Sequence, residues 1–164
     1  MAQLTYPTDL AIAFPGMFAD LSPRNDVLSR ISEEVASFDY GLAVVAGTDP
    51  DNQALLPTSA GVALLGLSAH SHANTVGADD MNLVDPTHVF NVLHVGRIYV
   101  RVEDACVPGD TPHVRITAGV GENLGAWRTD VDGGDAVPAS GCRFISSAGA
   151  GEIAILEIDA DAAI

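Results

Sequence analysis

From Asn25 onward the apolar positions fall in short runs, many alternating with polar residues and most closed by glycine, proline or aspartate. Val27, Ser29, Ile31, Glu33 and Val35 alternate with other residues over about ten positions, the period of a half-buried strand. A short helix over 29–36 is the competing reading. The apolar run 42–46 is closed by Gly47, and the turn-forming stretch 48–52 leads into a short strand over 53–56 ended by Pro57. Residues 61–70 are the most apolar stretch; their glycines disfavour a helix, so a buried strand is expected. Residues 71–87 read as a long polar loop. Val89, Asn91, Leu93 and Val95 run up to Gly96, and Ile98, Val100 and Val102 follow, which predicts a hairpin turning at the glycine. Pro108, Gly109 and Asp110 mark a turn, Val114 and Ile116 a strand, and Gly119, Gly121 and Gly125 a glycine-rich turn before residues 123–128. Residues 130–138 read as a loop, and 142–147 pairs with 152–159 across Ala148, Gly149, Ala150 and Gly151. The tail, 160–164, is expected to fray.

Short strands with turn signals every eight to twelve residues predict an all-β fold, a jelly-roll-like sandwich or a small β-barrel. Residues 1–26 differ from the rest. Pro7, Pro15 and Pro23 prevent a continuous helix, and Phe14, Met17 and Phe18 are apolar side chains that are costly to leave in water. An extended N-terminal arm over 1–26 is expected ahead of a single β domain over 27–164. The arm either packs on its own domain or docks on a partner.

Composition narrows the function. Aromatic residues make up 5% of the 164, while glycine occurs 16 times and proline 9 times, as suits strands and turns. Mean hydropathy is +0.25 and the sequence pI about 4.2. The net charge is −15, and its seven basic residues are all arginines: Arg24, Arg30, Arg97, Arg101, Arg115, Arg128 and Arg143. Such a surface repels nucleic acid and anionic lipid, so neither is an expected partner. The N-terminus lacks a basic region followed by an apolar core, and folding in the cytoplasm of the producing cell is expected. Cys106 and Cys142 are then expected as reduced, packed thiols.

The search for chemistry yields little. No nucleophile elbow and no phosphate loop is present, and the glycines at 119–125 are followed by no lysine. His70 and His72 would share one strand face, with His88 or His94 as further zinc ligands, but they open a loop and are expected on the surface. Asp130, Asp132 and Asp135 around Gly133 and Gly134 resemble part of a calcium loop without its closing glutamate. Trp127, the single tryptophan, is expected in the core or at an interface. No catalytic residue, metal site or cofactor is assigned.

Several segments, in order, resemble phage structural cement proteins, which decorate capsids. They are Phe14-Pro15-Gly16-Met17-Phe18-Ala19-Asp20 with Ser22-Pro23-Arg24; Ser32-Glu33-Glu34; the stretch from Tyr40 to Thr48; Asp51-Asn52-Gln53 with Leu56-Pro57; Val95-Gly96-Arg97-Ile98-Tyr99-Val100; Pro108-Gly109-Asp110; and residues 141–147 and 154–158. The resemblance implies a jelly-roll-like or barrel-like domain on the outer surface of a DNA-filled, tailed-phage head. It implies a homodimer or homotrimer that bridges major capsid protein subunits, and a structural protein rather than an enzyme. On that basis Phe14, Pro15, Met17, Phe18 and Arg24 are the expected capsid-binding residues. The alternative is a carbohydrate- or host-binding β module on the virion surface, with calcium as a candidate ligand.

Overall fold

In a computed structural model, residues 13–20, 24–59, 63–70 and 83–163 are described. Twelve strands follow one another: β1 (Asp26–Ser32), β2 (Phe38–Asp39), β3 (Ala43–Ala46), β4 (Gln53–Leu55), β5 (Leu64–Ala69), β6 (Leu83–Val84), β7 (Val89–Arg101), β8 (His113–Arg115), β9 (Trp127–Arg128), β10 (Ala136–Pro138), β11 (Cys142–Phe144) and β12 (Ile153–Asp159). The helical segments among the described residues are two 3-10 turns, at Asp132–Gly134 and Ala160–Ala163.

The main sheet runs β1-β4-β3-β5-β7-β12-β11, and β1 also pairs with β7. That extra pairing closes five strands, β1, β4, β3, β5 and β7, into a small barrel. Closure removes the free edges that an open sheet would present. The expected all-β fold is found, in its barrel form. Smaller sheets, β10-β8-β9 and β2-β6, lie beside it.

β7 organises the molecule. Its first half pairs with β1 and β5, and its second half with β12 from Ile153↔Arg101 to Asp159↔Val95. The expected hairpin at Gly96 is therefore replaced by one 13-residue strand. Phe90 and Val92 join one buried cluster, with Phe38, Tyr40, Val44 and Ala54. Leu93, Ile98 and Val100 join the other, with Leu67, Trp127, Phe144, Leu156 and Ile158. Residues 93 and 98 have opposite parity yet face the same core, so the strand changes face between them. The pairing with β1 is irregular within that interval, Asp26 standing opposite Val95 and Val27 opposite Leu93, so that His94 is the extra residue of a bulge; Gly96, at φ +143°, follows it where an added side chain would collide with Asn25. A glycine inside a strand marks a bend as readily as a turn.

Other local differences have equally local causes. β1 forms where the alternation predicts, but Val27 and Ile31 face outward while Leu28 and Ser32 turn inward. The strand 61–70 is found as β5, and its start falls partly outside the described residues. The loop expected over 71–87 contains β6, and the one over 130–138 contains β10. The tail forms a 3-10 turn with Ala160 buried rather than fraying. Trp127 is fully buried and its Nε1–H donates to the Gly41 carbonyl at 2.9 Å, which satisfies the indole inside the core. Cys106 and Cys142 are free thiols, and burial pushes the Cys142 thiol up to about 12, so it is inert at neutral pH.

Candidate functional site

The N-terminal segment 13–20 lies on its own domain. Gly16 N–H donates to the Tyr99 carbonyl at 2.8 Å, Tyr99 N–H to Met17 at 2.9 Å, and Ala19 N–H to Arg97 at 2.9 Å. These bonds extend the sheet along the second half of β7, with Phe18 opposite Ile98. On its other side Gly16 accepts from His70 N–H at 2.7 Å. Gly16 sits at φ +84°, and an added Cβ would lie 2.4 Å from the Cβ of Tyr40. Gly41, at φ +83°, meets Pro15 and the Gly16 backbone from the opposite side. Two glycines thus let two backbones approach where no side chain fits. Ser68, fully buried, holds this turn by accepting from Leu42 N–H at 3.1 Å.

Alanine at Gly16 is expected to cost about 1–3 kcal/mol through clash and left-handed strain. Urea unfolding reads the loss, and limited proteolysis should find the segment more readily cut.

This packing sorts the expected site residues. Phe14 remains 40% exposed and Met17 39%, while Phe18 turns inward and packs half-buried against the larger core cluster. Pro15 is half-buried against Gly41. Phe14 stands edge-on to His70 with ring centroids 5.0 Å apart, and Tyr40 stands likewise at 5.1 Å. His70 is therefore a half-buried spacer between two aromatic rings, not the surface histidine expected; His72 falls outside the described residues. Phe14 and Pro15 line a cleft of about 530 Å3 with Tyr40, Leu42, Arg101 and Gly121. Val120, next to Gly121, is fully exposed at the tip of its loop. Sequence reading missed it, although a valine between two glycines is a signal for an apolar loop tip. Arg24 lies apart from Phe14, exposed beside a second cleft shared with Arg97 and Arg143.

The other electrostatic feature is internal. Arg115 is fully buried and donates Nε and Nη2 to Glu103 at 2.8–3.0 Å and Nη2 to Asp132 at 2.8 Å, with Glu122 2.9 Å from Nη1. Arg128 donates to Asp130 at 2.7 Å, Asp132 at 2.9 Å and Glu103 at 3.0 Å, with Asp104 at 3.1 Å. Five carboxylates thus enclose two guanidiniums and tie β8, β9 and the 3-10 turn at Asp132–Gly134 together. The hydrogen bond from Arg128 holds the Asp130 carboxyl below its usual range. Two of the three aspartates of the calcium-like stretch, Asp130 and Asp132, are thus engaged by arginine. Among the described residues no group of three or more His, Cys, Asp or Glu side chains is arranged to hold a metal ion.

Low carboxyl values recur elsewhere. Hydrogen bonds from Thr48 lower Glu33, and although burial opposes ionisation of Glu157, bonds from Arg97 and Arg143 outweigh it. Groups with depressed folded values add stability that is complete above their unfolded pKa and is lost as pH falls through the folded value. Stability is therefore expected to fall steeply below about pH 4. A pH series of thermal melts checks this, and Asp130→Asn should make the acid limb shallower.

The described residues thus form a closed β-barrel with the segment 13–20 docked along β7 and a buried ionic network beside it. The sequence matches, over residues 2–159, the family described as structural cement protein (E217 gp24/Pam3 gp6), and the chain belongs to that family. It is a phage capsid structural protein and its place is the virion capsid. The fold is shared with a chain of the structure described as the capsid of Myoviridae phage XM1, at a TM-score of 0.70 and 15% identity, covering 95% of this chain and 96% of that one. No curated protein matches the sequence.

Proposed function

We propose that the chain is a cement that binds the outer surface of a tailed-phage head and bridges neighbouring major capsid protein subunits. The observation that carries this reading is the family match along nearly the whole chain, joined to a fold whose terminal segment, hydrogen-bonded to β7, leaves Phe14 and Met17 exposed. A ligand that binds the assembled lattice and not the free subunits stabilises the lattice by mass action. If each copy spans two subunits, separating them breaks its contacts as well, and many modest contacts add through avidity.

Phe14 and Met17 supply the apolar contact, and Arg24, at the separate cleft with Arg97 and Arg143, a charged one. Pro15 against Gly41 and Phe18 against Ile98 hold the segment so that the contact is preorganised. Self-association would cover the outward strip of Val27, Ile31 and Val89 on the barrel, where Ile31 and Val89 are cross-strand partners. Imaging purified virions at subunit resolution tests the reading. Density for this chain at regular outside positions, touching two capsid subunits each, supports it; a location inside the shell or confined to the tail contradicts it.

A further inference from the structure

Basic side chains are scarce in this chain, seven against 22 acids. Arg115 and Arg128 are buried and saturated by carboxylates. Of the remaining five, Arg24, Arg97 and Arg143 meet at one cleft of about 240 Å3, beside the bend at Gly96 and the β11–β12 hairpin. Asp20, Glu157 and Asp159 line the same cleft. Three charges of each sign cancel, so the whole excess of −15 lies elsewhere on the molecule. This is neutral ground on a strongly acidic protein.

Arg97 Nε donates to Glu157 Oε2 at 2.6 Å, and Arg143 Nη2 pairs with Oε1 of the same carboxylate. Arg97 Nη1 lies 3.7 Å from Asp20, an ion pair longer than a hydrogen bond. One carboxylate therefore serves two guanidiniums. Arg143 Nε and Nη1 have no acceptor among the described residues, and its side chain is 66% exposed. A guanidinium donor left without a partner makes a charge-assisted hydrogen bond to a carboxylate that reaches it.

We propose that this cleft receives a carboxylate side chain of the shell protein, met by the exposed guanidinium of Arg143. The inference rests on the reading that the chain docks on the shell, and Asp20 and Arg24 connect the cleft to the anchoring segment. Remote acidic charges oppose a long polyanion at every point along its length. A single carboxylate reaching Arg143 meets an exposed guanidinium, while Glu157 is already bonded to Arg97 and Arg143 and charges more than about 8–10 Å away are screened at ordinary salt. The acidic exterior then also acts as a filter, since a carboxylate-bearing surface is repelled except where this cleft meets it.

The test is binding of the full-length chain to purified heads that lack it, measured against salt. Arg143→Gln should lower affinity about tenfold and make its fall with salt shallower, with the melting temperature near that of the unaltered chain. Arg143→Lys should lose less and Arg143→Glu more, because a negative partner ranks the three by charge. Equal affinity and equal salt dependence across all three, while the unaltered chain binds, would overturn this inference alone. Failure of the unaltered chain to bind heads would instead overturn the reading it rests on.

Discussion

Replacing Arg115 with alanine is expected to cost about 3–5 kcal/mol, because it leaves buried charges without their partner. Arg115 is fully buried, and its guanidinium contacts Glu103, Glu122 and Asp132 at once. Its removal leaves those carboxylates facing one another with Arg128 as their remaining nearby cation. The penalty comes from the abandoned charges, so an apolar replacement such as Arg115→Met should cost nearly as much as alanine. Lysine restores the charge without the fork and should recover part of the loss. Urea unfolding of the four proteins reads the ranking. A loss of under about 1 kcal/mol for alanine would mean that the network behaves like an ordinary surface ion pair.

The second large effect concerns binding. Phe14→Ser together with Met17→Ser should weaken attachment to heads by about two orders of magnitude in Kd. About 2–4 kcal/mol is available from burying the exposed parts of both side chains at roughly 25 cal/mol per Å2. The fold should survive, because both side chains project from a segment whose hydrogen bonds to β7 are made by backbone. Point changes are a cleaner test than deletion of the first 24 residues. Deletion would strip the partner strand from Arg97 and Tyr99 and uncover Ile98, so lost binding could reflect a damaged domain. Sedimentation of heads with labelled protein measures the difference; undiminished occupancy by the double variant would remove the segment from the interface.

The fold class was legible because period-two alternation and glycine-bounded runs are direct consequences of strand geometry. Faces were harder to read. β1 carries apolar residues on both sides, and the burial of Leu28 and Ser32 rather than Val27 and Ile31 is decided by how the barrel closes, which alternation alone does not encode. Gly96 shows the same limit. Its neighbourhood spells a turn locally, and only the long pairing of β12 across it reveals a continuous strand. The terminal segment was recognised by its apolar residues, but its docking depends on Gly16 meeting Gly41 and Tyr40, residues about 25 positions away. The ionic network was invisible for the same reason. Aspartates that read as a calcium loop are bound instead by Arg115 and Arg128, brought in from β8 and β9.

Whether this chain holds a shell together is read most directly from the temperature at which DNA-filled heads rupture and release their genome, compared with and without saturating protein. Heads carrying it should rupture several degrees higher, with the gain growing as occupancy rises and reaching a plateau once the sites are filled. Identical rupture temperatures at full occupancy would mean that the protein decorates the shell without fastening it.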